Sequence, residues 1–155
     1  MKKKRLVGIL AAGVVVVGTG LVTATPAVAA PPYWQEVSTN SNWTCSPYKA
    51  HRLSFNIKFK TCIVRNAAND AQAVLVVQNS GTAAADIRGV VHHHNTGGTY
   101  DGNWDFSCKT SRLNPGFTRG CFGTTFPGTS DIQASSELWM NGNENINLST
   151  DSWHG

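Results

Sequence analysis

The sequence predicts an all-β protein built as a single antiparallel β-sandwich. Three observations carry this. Apolar and polar residues alternate at period two in several short runs, the pattern of strands with one face in a core and one in water. Turn signals such as Asn79-Ser80-Gly81, Pro115-Gly116, Pro127-Gly128 and Asn141-Gly142 separate those runs at short intervals. No stretch beyond the first thirty residues holds a helical period.

The chain opens on a different kind of segment. Lys2, Lys3, Lys4 and Arg5 precede an apolar run, Leu6 to Val22, that ends in Thr-Pro-Ala-Val-Ala-Ala. A basic start, an apolar middle and a small-residue cleavage site describe a secretory signal peptide, so residues 1–30 are expected to be removed. The formal charge of +4 changes meaning with that removal. Four of the thirteen Lys and Arg leave with the leader and no acid does, so nine bases face nine acids in the remainder. A neutral domain lacks the electrostatic footprint of a nucleic-acid binder. No second apolar stretch approaches the ~20 residues that cross a bilayer, so no membrane insertion is expected after cleavage. The expected location is extracellular.

About 125 residues remain, enough for one domain with one core. Residues 31–44 read as an extended arm, because Pro31-Pro32 favours an unpaired conformation. The sandwich is expected over residues 45–149, followed by a polar tail at 150–155. The first strand runs from His51 to about Val64, with Leu53, Phe55, Ile57, Phe59 and Ile63 on one parity. Cys62 and Val64 fall on the other parity, so either a disulfide covers that outer face or a bulge near Thr61 re-aims the chain. Gln72 to Gln78 is apolar on both parities and suits a central strand covered on both sides. Ala85, Ile87, Gly89 and Val91 then share one face. A glycine-rich loop over 95–103 leads to Trp104, Phe106 and Cys108, again at period two. Phe122 to Phe126 follows. Ile132, Ala134, Leu138 and Met140 alternate with Gln133, Ser135, Glu137 and Trp139. Ile146 and Leu148 make a last short strand.

Four cysteines in an oxidising compartment imply two disulfides. Sequential pairing, Cys45–Cys62 and Cys108–Cys121, is favoured among the three possible connectivities. The second pair brackets Leu113-Asn114-Pro115-Gly116, and a hairpin centred there sets the two cysteines opposite each other.

Three pieces resemble bacterial extracellular immunoglobulin-like domains. They are Val74 to Thr82, with its Asn-x-Gly-Thr turn; Leu113-Asn114-Pro115-Gly116-Phe117-Thr118, an L-x-P-G-x-T edge turn; and Gln133 to Gly142, a late strand and hairpin. The likeness covers roughly residues 72–142 and implies an immunoglobulin-like sandwich. The overall build is also similar to small adaptor subunits of toxin particles secreted by Streptomyces. That likeness implies a protein partner.

Chemistry-bearing residues are few. His92-His93-His94 is the obvious candidate for a metal, but neighbours on a strand point to opposite faces, so only His92 and His94 can converge. They are candidate ligands that still need partners. Asp101, Asp105, Asp131 and Glu137 are acids without a fixed partner. No nucleophile motif stands after a strand, and all thiols are expected to be oxidised, so no enzyme activity, catalytic residue or cofactor is expected. Asn141-Gly142-Asn143-Glu144-Asn145 has one carboxylate among amides and reads as a turn rather than a calcium loop. The tryptophans are more suggestive. Tyr33 and Trp34 lie on the proline-stiffened arm, and Trp139 has the parity of the solvent face. These three are the expected partner-binding residues, since aromatic side chains dominate interface hot spots. The expected function is a secreted, non-enzymatic protein–protein binding module, an adaptor in an extracellular assembly. Two alternatives stand beside it. One is a carbohydrate-binding module using exposed tryptophans. The other is a protease inhibitor that presents the Cys108–Cys121 loop with Arg112 and Arg119.

Overall fold

The structure, a computed structural model, describes residues 34–96, 102–127, 131–142 and 149–154. These residues form ten strands and no helix. In chain order they are β1 (Trp34–Glu36), β2 (Trp43–Cys45), β3 (Lys49–His51), β4 (Ser54–Arg65) and β5 (Ala71–Asn79). Then come β6 (Ala85–Thr96), β7 (Gly102–Leu113), β8 (Thr118–Phe126), β9 (Asp131–Met140) and β10 (Ser149–His154). One sheet, here sheet A, has the order β1-β8-β5-β4-β2, with β3 also pairing β4. Sheet B has the order β10-β9-β6-β7. Every pairing is antiparallel.

The parity seen in the sequence decides what lies between the sheets. Ile57, Phe59 and Ile63 from β4 meet Ile87 and Val91 from β6 and Ile132, Ala134 and Leu138 from β9 in one core. Thr61 shares that inward parity, and its hydroxyl hydrogen-bonds Ser136 Oγ across the sheets at 2.7 Å. The pair satisfies two buried hydroxyls that would otherwise be costly. β5 is buried along both faces, as its unbroken apolar run predicts. Its second face has a cover of its own. Cys62, Val74 and Val76 lie beneath Val37, Trp43, Cys45, Val64 and Phe122 on the outside of sheet A. β4 and β5 stay in register from Ile57↔Asn79 to Arg65↔Ala71, so no bulge at Thr61 re-aims Cys62. The Cys45–Cys62 bridge covers the outer face instead.

Both disulfides pair as expected, but the second does a different job. β7 pairs with β6 in sheet B, while β8 pairs with β1 and β5 in sheet A. Cys108–Cys121 therefore joins the two sheets and does not close a hairpin. The turn at Asn114–Phe117 is an arch that carries the chain from one sheet to the other. Phe117 N–H donates to Asn114 O at 3.3 Å, and Gly116 takes a φ of 79°, which glycine tolerates at the third position of such a turn. Asn79 anchors the arch. Its Nδ2 donates to Ala83 O and Leu113 O, and its backbone N–H donates to Phe117 O.

Two boundaries move. β1 and all of β2 but Cys45 lie within the region expected as an arm, and both strands belong to sheet A. Trp34, Gln35 and Glu36 pair with Cys121, Gly120 and Arg119, so the polar sequence here is an edge strand. The expected tail at 150–155 contributes most of β10, which pairs with β9 from Ser149↔Ser136 to His154↔Asp131. Backbone pairing does not require apolar side chains at an edge, which is why hydropathy missed both. The leader, Tyr33 and the expected strand at Ile146 and Leu148 lie outside the described residues.

Gly89 is the tightest point of the interior. A Cβ placed there would sit 2.3 Å from Leu75 Cδ2 and 2.9 Å from Glu137 O. Gly89→Val should therefore cost about 1–3 kcal/mol by overpacking, read as a lowered urea midpoint. Gly116→Ala should cost less, because only its positive φ opposes a side chain there.

Candidate functional site

Trp34 is 8% exposed and belongs to the core. Its indole Nε1–H donates to Lys109 O at 2.6 Å, linking the edge of sheet A to the edge of sheet B. The ring is a packing element and offers no free face to a partner, so the expectation of a free aromatic arm at Trp34 is corrected. The reason is the pairing of β1 with β8, which sets Trp34 opposite Cys121 with its side chain in the core. Tyr33 lies outside the described residues. Trp139 faces outward from sheet B, as its parity predicts. The Arg88 guanidinium lies 4.3 Å from its ring centroid, a cation–π stack that occupies one face of the indole. A sugar would have to displace that cation to stack there.

The histidine run splits as alternation demands. His92 and His94 project from the outer face of sheet B and His93 projects inward. His92 Nδ1 lies 2.7 Å from Asp105 Oδ1 and its Nε2 lies 3.3 Å from Glu137 Oε1. His94 Nδ1 donates to Asn103 Oδ1 at 2.7 Å. The register explains these partners, because Asp105 and Asn103 stand directly opposite His92 and His94 on β7. Ser135 and Gln133 stand opposite them on β9. The result is a polar row across three strands around a cavity of about 320 Å³. Asp105 and Glu137, separate acids in the sequence, meet here on the two sides of one imidazole. Both ring nitrogens of His92 thus face carboxylates. Among the described residues no group of three His, Cys, Asp or Glu side chains is placed to hold a metal ion.

His93 is a different matter. It is 1% exposed, packed edge-on against Phe126 with ring centroids 4.3 Å apart. Neither ring nitrogen makes a well-formed hydrogen bond among the described residues, and the Asn95 side chain beside it offsets the cost of burial only in part. Burial away from water pushes its pKa down to about 4, so the ring is neutral at pH 7. This histidine sits in the core because it continues the inward parity of Gly89 and Val91, and Asn95 continues it further. The alternation was legible over Ala85 to Val91, but the polar character of His93 and Asn95 concealed that it ran on.

Two surface features remain. β7 is the free edge of sheet B, and Trp104 on it is 41% exposed beside Phe126. Phe55, at the start of β4, is 86% exposed. It has the parity of Ile57 and Phe59, but pairing between β4 and β5 begins only at Ile57. The inward face at Phe55 therefore overhangs the core. The Cys108–Cys121 segment gives the inhibitor reading little to work with. Only Asn114–Phe117 lies outside strands, Arg112 contacts Asp86 at 3.5 Å, and the Arg119 guanidinium lies 5.7 Å from the Phe117 ring centroid.

His93 yields a pH-dependent prediction. Its folded pKa lies below the ~6.5 of an unfolded histidine. The unfolded chain therefore binds the extra proton first. Stability from this group is complete above about pH 6.5 and falls as pH drops towards 4. Denaturant titrations at pH 7 and pH 4 should show the wild type losing about 2–3 kcal/mol more than His93→Leu. Equal losses in the two proteins would show that His93 is not held neutral by the fold.

Compared with known proteins, the chain matches no family model, no curated protein and no solved structure.

Proposed function

We propose that the protein is a secreted, non-catalytic adaptor that binds another protein by accepting an extended segment of it along the outer edge of β7. One observation carries the reading. β7 is twelve residues long, ends sheet B, and among the described residues pairs only with β6. Its other side therefore carries backbone N–H and C=O groups directed away from the sheet. A partner strand is the natural complement for such an edge, since main-chain hydrogen bonds supply affinity and alternate side chains supply specificity.

Geometry limits where the added strand can lie. From Gly102 to Cys108 the edge is regular, matched to β6 from Asn95 to Gly89. Beyond Cys108 the register shifts between Ile87 and Gly89, and Lys109 O already accepts the Trp34 indole. The docking length is thus the seven residues Gly102 to Cys108, with Trp104 as the adjacent aromatic anchor. Asp105, Lys109 and Arg112 are exposed along the strand, and charges of this kind discourage edge-to-edge aggregation. In this arrangement the chain offers the edge and the partner offers the strand.

Two further points support the proposal. Two disulfides suit an extracellular protein. An inter-sheet disulfide with a tryptophan paired beside it suits an immunoglobulin-like sandwich.

The test is a pull-down from culture supernatant, followed by hydrogen exchange on the recovered complex. Amides of residues 102–108 should gain protection, and Trp104→Ala should lower capture at least tenfold with the unfolding midpoint unchanged. Protection confined to another surface would overturn the role of β7.

A further inference from the structure

The β3–β4 hairpin carries a feature that strand addition at β7 does not use. Its tip displays Leu53 at 48% exposure and Phe55 at 86%. Apolar groups this exposed are common singly, but here two stand on either side of Ser54 at one hairpin tip. The surrounding charge is one-sided. From Val37 to Asn69 the chain has Lys49, Arg52, Lys58, Lys60 and Arg65 and no acid. Lys49, Arg52 and Lys58 are exposed on the hairpin itself. These three give the hairpin a locally basic character in a domain that is neutral once residues 1–30 are set aside.

The backbone of the tip is unusually self-contained. Leu53 N–H donates to His51 Nδ1 at 3.2 Å, and Asn56 N–H donates to Ser54 Oγ at 3.3 Å. Asn56 O accepts from both Ser80 N and Ser80 Oγ. His51, 1% exposed, donates from Nε2 to Leu138 O on sheet B at 3.2 Å, which fixes the tautomer whose Nδ1 accepts from Leu53. Leu53 N–H, Asn56 N–H and Asn56 C=O are thus already paired within the protein, which lowers the cost of withdrawing water from them at a lipid interface.

We propose that this hairpin docks the protein onto an anionic lipid surface, with Leu53 and Phe55 entering the interface and Lys49, Arg52 and Lys58 meeting the headgroups. The charge pattern complements negative headgroups. Each basic residue near such a surface contributes roughly fivefold in affinity. Two apolar side chains add a contribution that salt does not screen.

The experiment is co-sedimentation of the protein without its first thirty residues, using two vesicle preparations. One contains phosphatidylcholine with one-third phosphatidylglycerol, and the other contains phosphatidylcholine alone. Binding is expected to the anionic vesicles only. Leu53→Ser/Phe55→Ser should weaken it at least tenfold, and Arg52→Glu/Lys58→Glu should abolish it. Both pairs are exposed, so the far-ultraviolet dichroism should be unchanged. Absence of binding to either vesicle overturns the proposal. So does anionic-vesicle binding that the serine variant retains, which would be adsorption by charge alone. If vesicles fail while Phe55→Ser reduces capture of a protein, the tip occupies a protein pocket and the lipid proposal is likewise overturned. Trp104→Ala should leave vesicle binding intact, which separates this site from the edge of β7.

Discussion

One cross-section holds the two sheets at a fixed separation, and most of the molecule is arranged around it. In sheet B, Gly89 stands opposite Cys108. In sheet A, Cys121 stands between Leu75 and Trp34. The disulfide crosses the gap, Leu75 fills the notch at Gly89, and the Trp34 indole reaches Lys109 O beside it. A larger residue at 89 would push the sheets apart where a covalent bond forbids it. The short strand β1 owes its place to this packing more than to its three backbone pairs.

The same geometry explains which parts of the fold were legible in the sequence. Strands with one wet face announce themselves by alternation, and β4, β6 and β9 were readable for that reason. β5 was readable by a different signal, an apolar run too long to have a wet side. The pairing of Cys108 with Cys121 was also legible, but its role was not. A short separation bracketing a Pro-Gly turn suits a hairpin and an arch equally well, and only the pairings of β7 with β6 and of β8 with β5 distinguish them. β1 and β10 were missed because their cross-strand backbone bonds leave little trace in side-chain hydropathy.

The candidate sites follow a similar rule. Alternation correctly separated His92 and His94 from His93, yet it could not tell which set faced the core. The inward parity belongs to Ile87, Gly89 and Val91, and it carried the middle histidine inside. Asp105 and Glu137 lie far apart in the chain and converge on His92 only because β7 and β9 flank β6. An aromatic residue after two prolines looks displayed, whereas the pairing of β1 with β8 carries Trp34 into the core. Phe55 erred in the opposite direction. Its parity is that of the core, but β4 outruns the strand that would have sealed it.

Cys108–Cys121 has one more consequence, for what proteolysis would do to the chain. Twelve residues separate these cysteines, and they include the exposed stretch Asn114–Gly116 together with Lys109, Arg112 and Arg119. A cut anywhere between the cysteines severs the polypeptide, yet the halves stay tethered through sulfur. Each half keeps strands from both sheets, so neither holds a complete sheet to itself. The nicked molecule is therefore one particle with two new ends, and it comes apart only when reduction accompanies unfolding.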